Sequence, residues 1–319
     1  MRCALYVRCF YESFYLDWFI EYYLNLDFDY IVILKADNIK YIVPEKLKKK
    51  VYIRNVENVG NALYQKYLNI IKIINPDWVF MIDIDEILIL ENNNIKKFIK
   101  NKLKIDSNIN CFYFQWLMME RYDNQNLNLK DSYNKYKLFN NCNYKSLALL
   151  KNINGIKNPH SFKLNNYKIE KDNIIYNYNI DHTNNNSENE SYKNYLLHIH
   201  TRSLNNLVLK SLITILNNKH IKDKNSFKEF VNKFCCNNNN ILENFKNSIG
   251  KKATLPYSHS NGKIININKN HPLFNKKIVN YDDEKKVLHK LLKKNNINIE
   301  KYELMIQKLE KEISNHFIN

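Results

Sequence analysis

Apolar positions in the first ninety residues come in short runs separated by amphipathic stretches, and that alternation indicates the fold class. Residues 2–8 (Arg2-Cys3-Ala4-Leu5-Tyr6-Val7-Arg8) predict a strand with a charge at each end. From Glu12 to Leu26, Phe14, Trp18, Tyr22 and Leu26 recur at helical spacing. Tyr30-Ile31-Val32-Ile33-Leu34 is an unbroken apolar run, the mark of a strand covered on both faces. Val51-Tyr52-Ile53 predicts a short third strand, and residues 60–74 a second helix ended by Asn75-Pro76. Trp78-Val79-Phe80-Met81-Ile82 predicts a fourth strand. This β-α-β-β-α-β order implies an α/β class: a Rossmann-like, open and largely parallel sheet with helices on both faces.

Farther along the pattern weakens. Residues 110–117 predict another strand, and 120–200 read as irregular, with short strand candidates and Asn-rich loops such as 184–190. A helix is expected at 203–217 and two more between about 281 and 316, where Leu304, Ile306, Leu309 and Ile313 stand near heptad spacing. The Asn tract 237–240 reads as a loop, and no internal repeat is visible. The organisation implied is an α/β domain over 1–212 and a mainly helical region over 213–319.

Composition refines this. With 319 residues, 45% of them hydrophobic, the chain can bury one large core and carry a helical appendage. Only 4 Gly and 5 Pro exclude a collagenous or linker-rich chain, and 23 Tyr exclude a disordered one. The formal net charge of +17 admits a nucleic-acid binder. Asn, Ile, Lys and Tyr are over-used together, however, and all four have A/T-rich codons, so coding bias explains much of the charge. No specific nucleic-acid partner is expected, because no finger or RNA-recognition signature accompanies the charge. The cysteines at 3, 9, 111, 142, 235 and 236 show no C-x-x-C spacing, and adjacent Cys235 and Cys236 suit a disulfide badly, so all six read as reduced thiols. The charged first segment does not resemble a signal peptide, and no run of 18 apolar residues occurs. A cytoplasmic protein is expected, with peripheral membrane contact open to its basic C-terminal helices.

The chemistry concentrates where the fourth strand runs into Asp83-Ile84-Asp85-Glu86 and then Ile87-Leu88-Ile89-Leu90. Three carboxylates in so apolar a segment carry a desolvation cost unless something pairs with them. A divalent cation such as Mn²⁺ or Mg²⁺, which favours oxygen ligands, is a natural partner. Alternation along an extended chain places Asp83 and Asp85 on one side, and open α/β sheets bind ligands beyond the carboxyl ends of their strands. A D-x-D alone is a weak signal and reads more readily as a solvated acidic turn.

The whole segment Asp77-Trp78-Val79-Phe80-Met81-Ile82-Asp83-Ile84-Asp85-Glu86-Ile87-Leu88 resembles the D-W-hydrophobic-D-x-D-E signature of glycosyltransferases with the GT-A fold. It is most similar to the family 2-like group related to glycosyltransferase family 92. Glu12 to Tyr23 resembles that group's E-x-x-x-x-E-W segment, Tyr30 to Asn38 its second strand and D-N element, and Asn61 to Gln65 stands in place of a Q-x-x-A-Y-N element. Lys145-Ser146-Leu147, Pro159-His160-Ser161 and His198-Ile199-His200-Thr201-Arg202-Ser203 resemble its K-x-I, H-S and H-Y-x-x-K-S elements. The likeness extends over about residues 2–212, with departures in Cys9-Phe10-Tyr11-Glu12, which lacks the group's Asn before the Glu, and at Tyr23, Asn61 and Ile199.

The resemblance implies a metal-dependent, inverting transfer of a sugar from a nucleotide-sugar donor, a UDP-sugar above all, to a glycan, lipid-linked or protein acceptor. It implies that Asp85, with Asp83 directly or through water, holds the cation, with His198 as third ligand and His200 as runner-up. Nucleotide-sugar contacts fall to Glu12, Asp37, Asn61, Asp83, Lys145 and Arg202; the last two also read as ordinary surface cations. The general base is expected among Glu120, Glu86 and Asp123, with Glu120 preferred. Two rivals are a catalytically weakened nucleotide-sugar-binding protein and a basic nucleic-acid-binding protein. A haloacid-dehalogenase-like phosphatase fits poorly, since Glu86 intrudes on its motif and the acidic strand is the fourth.

Overall fold

Cys3–Cys9 forms strand β1 and is buried throughout except at Arg8, as a central strand between two helical layers must be. A computed structural model describes residues 1–10, 12–37, 39–57, 61–120, 138–165, 194–217, 224–234, 240–249 and 281–317 of the chain. In it β1 runs parallel to β2 (Tyr30–Lys35) on one side and to β4 (Trp78–Asp83) on the other, and β2 is parallel to β3 (Val51–Asn55). Helix α1 (Leu16–Asn25), entered through a 3-10 turn at Ser13–Tyr15, joins β1 to β2, and α2 (Asn61–Ile74) follows β3 and leads to β4.

Alternation along the strands sorts the core into two layers. Ala4, Tyr6, Val79 and Met81 pack with Tyr64, Leu68 and Ile71 of α2. On the opposite face the Phe80 ring lies 6.4 Å from Phe28, which in turn meets Tyr23 of α1 at 5.7 Å. Helix α3 (Ile95–Ile105) covers the same face, its Phe98 lying 5.4 Å from Phe114 of β6 (Cys111–Glu120). The expected α/β class, with helices on both faces of the sheet, is therefore found.

Beyond β4 the sheet turns mixed. β5 (Glu86–Ile89) pairs antiparallel with β10 (Tyr195–Thr201), and β7 (Leu138–Leu149) runs antiparallel to β4, giving eight strands in the order β3-β2-β1-β4-β7-β6-β10-β5. β8 (Ile153–Asn158) and β9 (Ser161–Leu164) form a separate antiparallel hairpin. The hairpin docks on α2, where the Ile156 N–H donates to Gln65 Oε1 at 2.8 Å. At Gly155 a Cβ would fall 2.8 Å from the same oxygen, so a larger residue there would make the Gln65 side chain shift.

The described residues group into two compact units, the first built on Met1–Met118 and Leu138–Ile199. The second holds Met119, Glu120 and the described residues from His200 onward. The second unit holds α4 (Leu204–Asn217), α5 (Lys224–Asn232), α6 (Ile241–Ile249), α7 (Tyr281–Lys294) and α8 (Ile299–Phe317). Ser203 caps α4 by accepting the Asn206 N–H at 2.9 Å, and its hydroxyl donates to the buried Glu284 at 2.6 Å. Among the described residues no helix is long and apolar enough to cross a membrane. Cys3, Cys9 and Cys111 are buried free thiols; the Cys142 side chain and Cys235 and Cys236 lie outside the described residues.

The layer beneath α2 should dominate stability. Leu68 is 1% exposed, so Leu68→Ala is expected to lower the unfolding free energy by about 2–5 kcal/mol in a urea titration, and a loss under about 1 kcal/mol would contradict this packing.

Candidate functional site

In the parallel part of the sheet, ordered 3-2-1-4, the chain steps from β1 to β2 on one side and returns from β3 to β4 on the other, and open α/β sheets bind ligands in the crevice beyond the strand ends at such a reversal. Arg8, next to the last residue of β1, and Asp83, the last of β4, are partners in register. Asp83 is then followed by a tight turn, closed when Glu86 Oε2 accepts the Asp83 N–H at 2.7 Å. The Ile84 N–H donates to the Arg8 carbonyl at 3.2 Å, so the turn is tied to β1 as well.

The Asp83 carboxylate is heavily engaged. Its Oδ2 meets Arg8 Nη2 at 2.7 Å and Lys145 Nζ at 2.8 Å, and its Oδ1 accepts the Tyr64 hydroxyl at 3.2 Å. Burial alone would push this carboxyl up, but Arg8 and Lys145 outweigh it and hold it down at about 2. Glu86 is fully buried, with Oε1 at 3.4 Å from Lys145 Nζ. Burial pushes the Glu86 carboxyl well above its ordinary value; Lys145 opposes this, while Asp83 and Asp85 add to it. Helix α1 braces the segment from behind: the Tyr23 hydroxyl donates to the Glu86 carbonyl at 2.9 Å and accepts the Leu88 N–H at 3.0 Å.

Asp85 adjoins a different side chain. Its carboxylate stands 3.4 Å from His198 Nε2, and its carbonyl accepts the Ile199 N–H at 3.0 Å. His198 is the register partner of Glu86 in the β5–β10 pair, so strand pairing sets the approach of the imidazole. The Trp116 ring lies 4.2 Å from His198 and 5.1 Å from His160, and Lys145 Nζ sits 5.7 Å over it. His160 is held down at about 4 by burial, aided by Lys145 and Arg8.

The structure thus brings Asp83, Asp85, Glu86, Lys145 and His198 together, as the sequence suggested. It divides the proposed ligand set, however. Asp85 and His198 adjoin, whereas Asp83 is turned to Arg8, Lys145 and Tyr64, and among the described residues no group of three metal-ligating side chains converges. Asp37, beyond β2, is tied up as well: it accepts the Ser13 hydroxyl at 2.7 Å, the Ile39 N–H at 3.0 Å and an ion pair from Lys35 at 2.8 Å. Glu12 is buried beyond β1, its carbonyl accepting the Tyr15 N–H at 3.0 Å. Arg202 is buried in the second unit, where its backbone N–H donates to Asn206 at 3.4 Å. The side chains of Asn61, Glu120 and His200, and all of Asp123, lie outside the described residues.

Arg8, Tyr64, Trp116 and His160 are members of the cluster to which sequence reasoning gave no role, although Tyr64 and His160 lie in elements that carry the resemblance. Arg8 left one signal, a cation closing an apolar strand in the half of the chain that also holds the acidic strand end. Compared with known proteins, the chain matches no family model and no curated protein.

Removing Lys145 leaves Asp83 with one cation and Glu86 with none of the pairing described here, so Lys145→Met is expected to cost about 3–5 kcal/mol at neutral pH. The sign with pH follows from Asp83. Its folded value, about 2, lies below the ordinary 3.8, so the stabilisation is present above pH 4 and is lost as pH falls toward 2. The gap between wild type and Lys145→Met in chemical denaturation should therefore shrink over that interval; a gap constant from pH 7 to 2 would refute the pairing.

Proposed function

We propose that this chain is a divalent-metal-dependent glycosyltransferase that takes its sugar from a nucleotide-sugar donor. The observation that carries the reading is the Asp85–His198 pair, 3.4 Å apart, beside the ends of β1 and β4 where the strand order reverses. Resemblance of the Asp77–Leu88 segment to the GT-A signature supports the same reading, in which the sheet is taken as that of a GT-A fold.

A carboxylate oxygen and an imidazole nitrogen side by side suit Mn²⁺ better than Mg²⁺, which keeps to oxygen ligands, and ligand oxygens would complete the shell. Such a cation, when bound, stabilises charge developing on a leaving diphosphate. Asp85 and His198 would hold it. Asp83 then acts indirectly, its engagement with Arg8 and Lys145 fixing the turn that presents Asp85. Glu86 suits a general base poorly, since its carboxyl is buried and closes that turn. The proposal assigns the proton-accepting role toward an acceptor hydroxyl to Glu120 at the end of β6. The acceptor classes stay as the resemblance implies: glycan, lipid-linked or protein hydroxyls.

Calorimetric titration with UDP-, GDP- and CMP-sugars, with and without Mn²⁺, tests this directly. At least one donor should bind more tightly in Mn²⁺, and transfer or donor hydrolysis should follow. Asp85→Ala should lose more than about 100-fold in that affinity, beyond the 10–100-fold expected for a supporting residue. Metal-independent binding, or unchanged binding and turnover in Asp85→Ala, would sink the proposal.

A further inference from the structure

The β8–β9 hairpin stands outside the eight-stranded sheet, yet its turn delivers a side chain to the charged cluster. The turn is fixed from within and from β7. The His160 N–H and the Ser161 hydroxyl both donate to Asn158 Oδ1, at 2.8 and 3.0 Å. The Ser146 N–H donates to the His160 carbonyl at 3.1 Å, and Lys145 Nζ to the Pro159 carbonyl at 2.9 Å. The strand that supplies Lys145 to Asp83 therefore also sets where the His160 ring sits.

That ring packs edge-on against Trp116, with centroids 5.1 Å apart at 73°. His160 Nδ1 and Trp116 Nε1 are both buried, and among the described residues neither has a hydrogen-bond partner. Trp116 as a whole is only 7% exposed. Buried polar atoms left unbonded cost free energy, so two on touching rings point to a group that bonds them. The chemistry of that group can be read from the pair. An indole N–H only donates, and an imidazole nitrogen donates or accepts. Burial, with Lys145 and Arg8 nearby, keeps His160 uncharged, and those two cations are themselves paired with Asp83. His160 and Trp116 thus make a neutral donor–acceptor pair. It matches hydroxyl groups, which both give and take hydrogen bonds, better than a phosphate, which carries charge and chiefly accepts.

We propose that His160, with Trp116 beside it, contacts hydroxyls of the donor's sugar and so is a specificity-determining residue, an inference that rests on the nucleotide-sugar reading above. Two variants separate bonding from packing. His160→Phe keeps a ring against Trp116 but has no polar atom, and His160→Asn keeps a polar atom close to the place of Nδ1 but has no ring. Each is titrated in Mn²⁺ with the tightest-binding sugar nucleotide of a panel (UDP-glucose, UDP-galactose, UDP-N-acetylglucosamine and GDP-mannose) and with its parent nucleoside diphosphate. The expected result is a loss of about 3- to 10-fold in sugar-nucleotide affinity for His160→Phe, the size of one hydrogen bond, with the diphosphate unchanged and His160→Asn within about twofold of wild type. An equal loss for the diphosphate, an unaffected His160→Phe, or a His160→Asn as weak as His160→Phe overturns the sugar contact while leaving the donor reading intact. Wild type that binds no member of the panel overturns both.

Discussion

Three carboxylates within four residues, at the end of a strand with no solvated face, cannot stay in place without compensation, and the structure depends on how that compensation is supplied. Arg8 from β1 and Lys145 from β7 converge on Asp83, and Lys145 also reaches Glu86. These contacts join the two strands that flank β4 to its acidic end. Breaking one partner of such a buried cluster costs far more than the pair contributes over an apolar replacement. The arrangement is thus better understood as fixing geometry than as adding net stability. What it fixes is the turn between β4 and β5, and through that turn the direction in which Asp85 points.

Much of the fold was legible because the parallel strands are buried on both faces and so appear as continuous apolar runs, as in Ile31–Leu34 and Val79–Ile82. β7 was not. Its Asn140, Asn141, Asn143, Lys145 and Ser146 break any apolar run, and its strand character comes from pairing with β4, not from its own pattern. Helix α3 had a readable start, since Asn94 accepts the Lys97 N–H at 2.9 Å and Ile95, Phe98 and Ile99 follow at helical spacing. The strongly basic stretch around them obscured it. At the site, Asp83 and Asp85 stood out as charges at the end of an apolar run. Their separation into one carboxylate bound by cations and one facing a histidine depends on residues sixty or more positions away, and nothing local encodes it.

Register explains the rest of the site. Arg8 lies opposite Asp83 because β1 and β4 start in step at Cys3 and Trp78, and His198 lies opposite Glu86 because β10 enters alongside β5 at Tyr195. A slip of one residue in either pair would turn Arg8 or His198 to the other face of the sheet. The Tyr23 hydroxyl, bonded to both Glu86 and Leu88, guards the β5 register from the α1 side. Helix α1 is therefore part of the site's construction, its Tyr23 hydroxyl holding the backbone of β5.

The same reasoning alters the meaning of the chain's charge. A formal excess of +17 suggests a surface made for anions, and Lys46, Lys48, Lys49 and Lys50, like Lys97, Lys100 and Lys104, are indeed exposed. The cations of the site behave differently. Lys145 is fully buried and Arg8 partly so, and both are committed to Asp83. A ligand arriving at the ends of β1 and β4 would meet a locally balanced cluster in which Asp85 and His198 form one edge, and His160 and Trp116 an uncharged one. Recognition there is then governed by where individual hydrogen bonds and one cation can be placed. The overall charge, spread on distant lysines, would affect how fast an anionic ligand arrives more than how it is held.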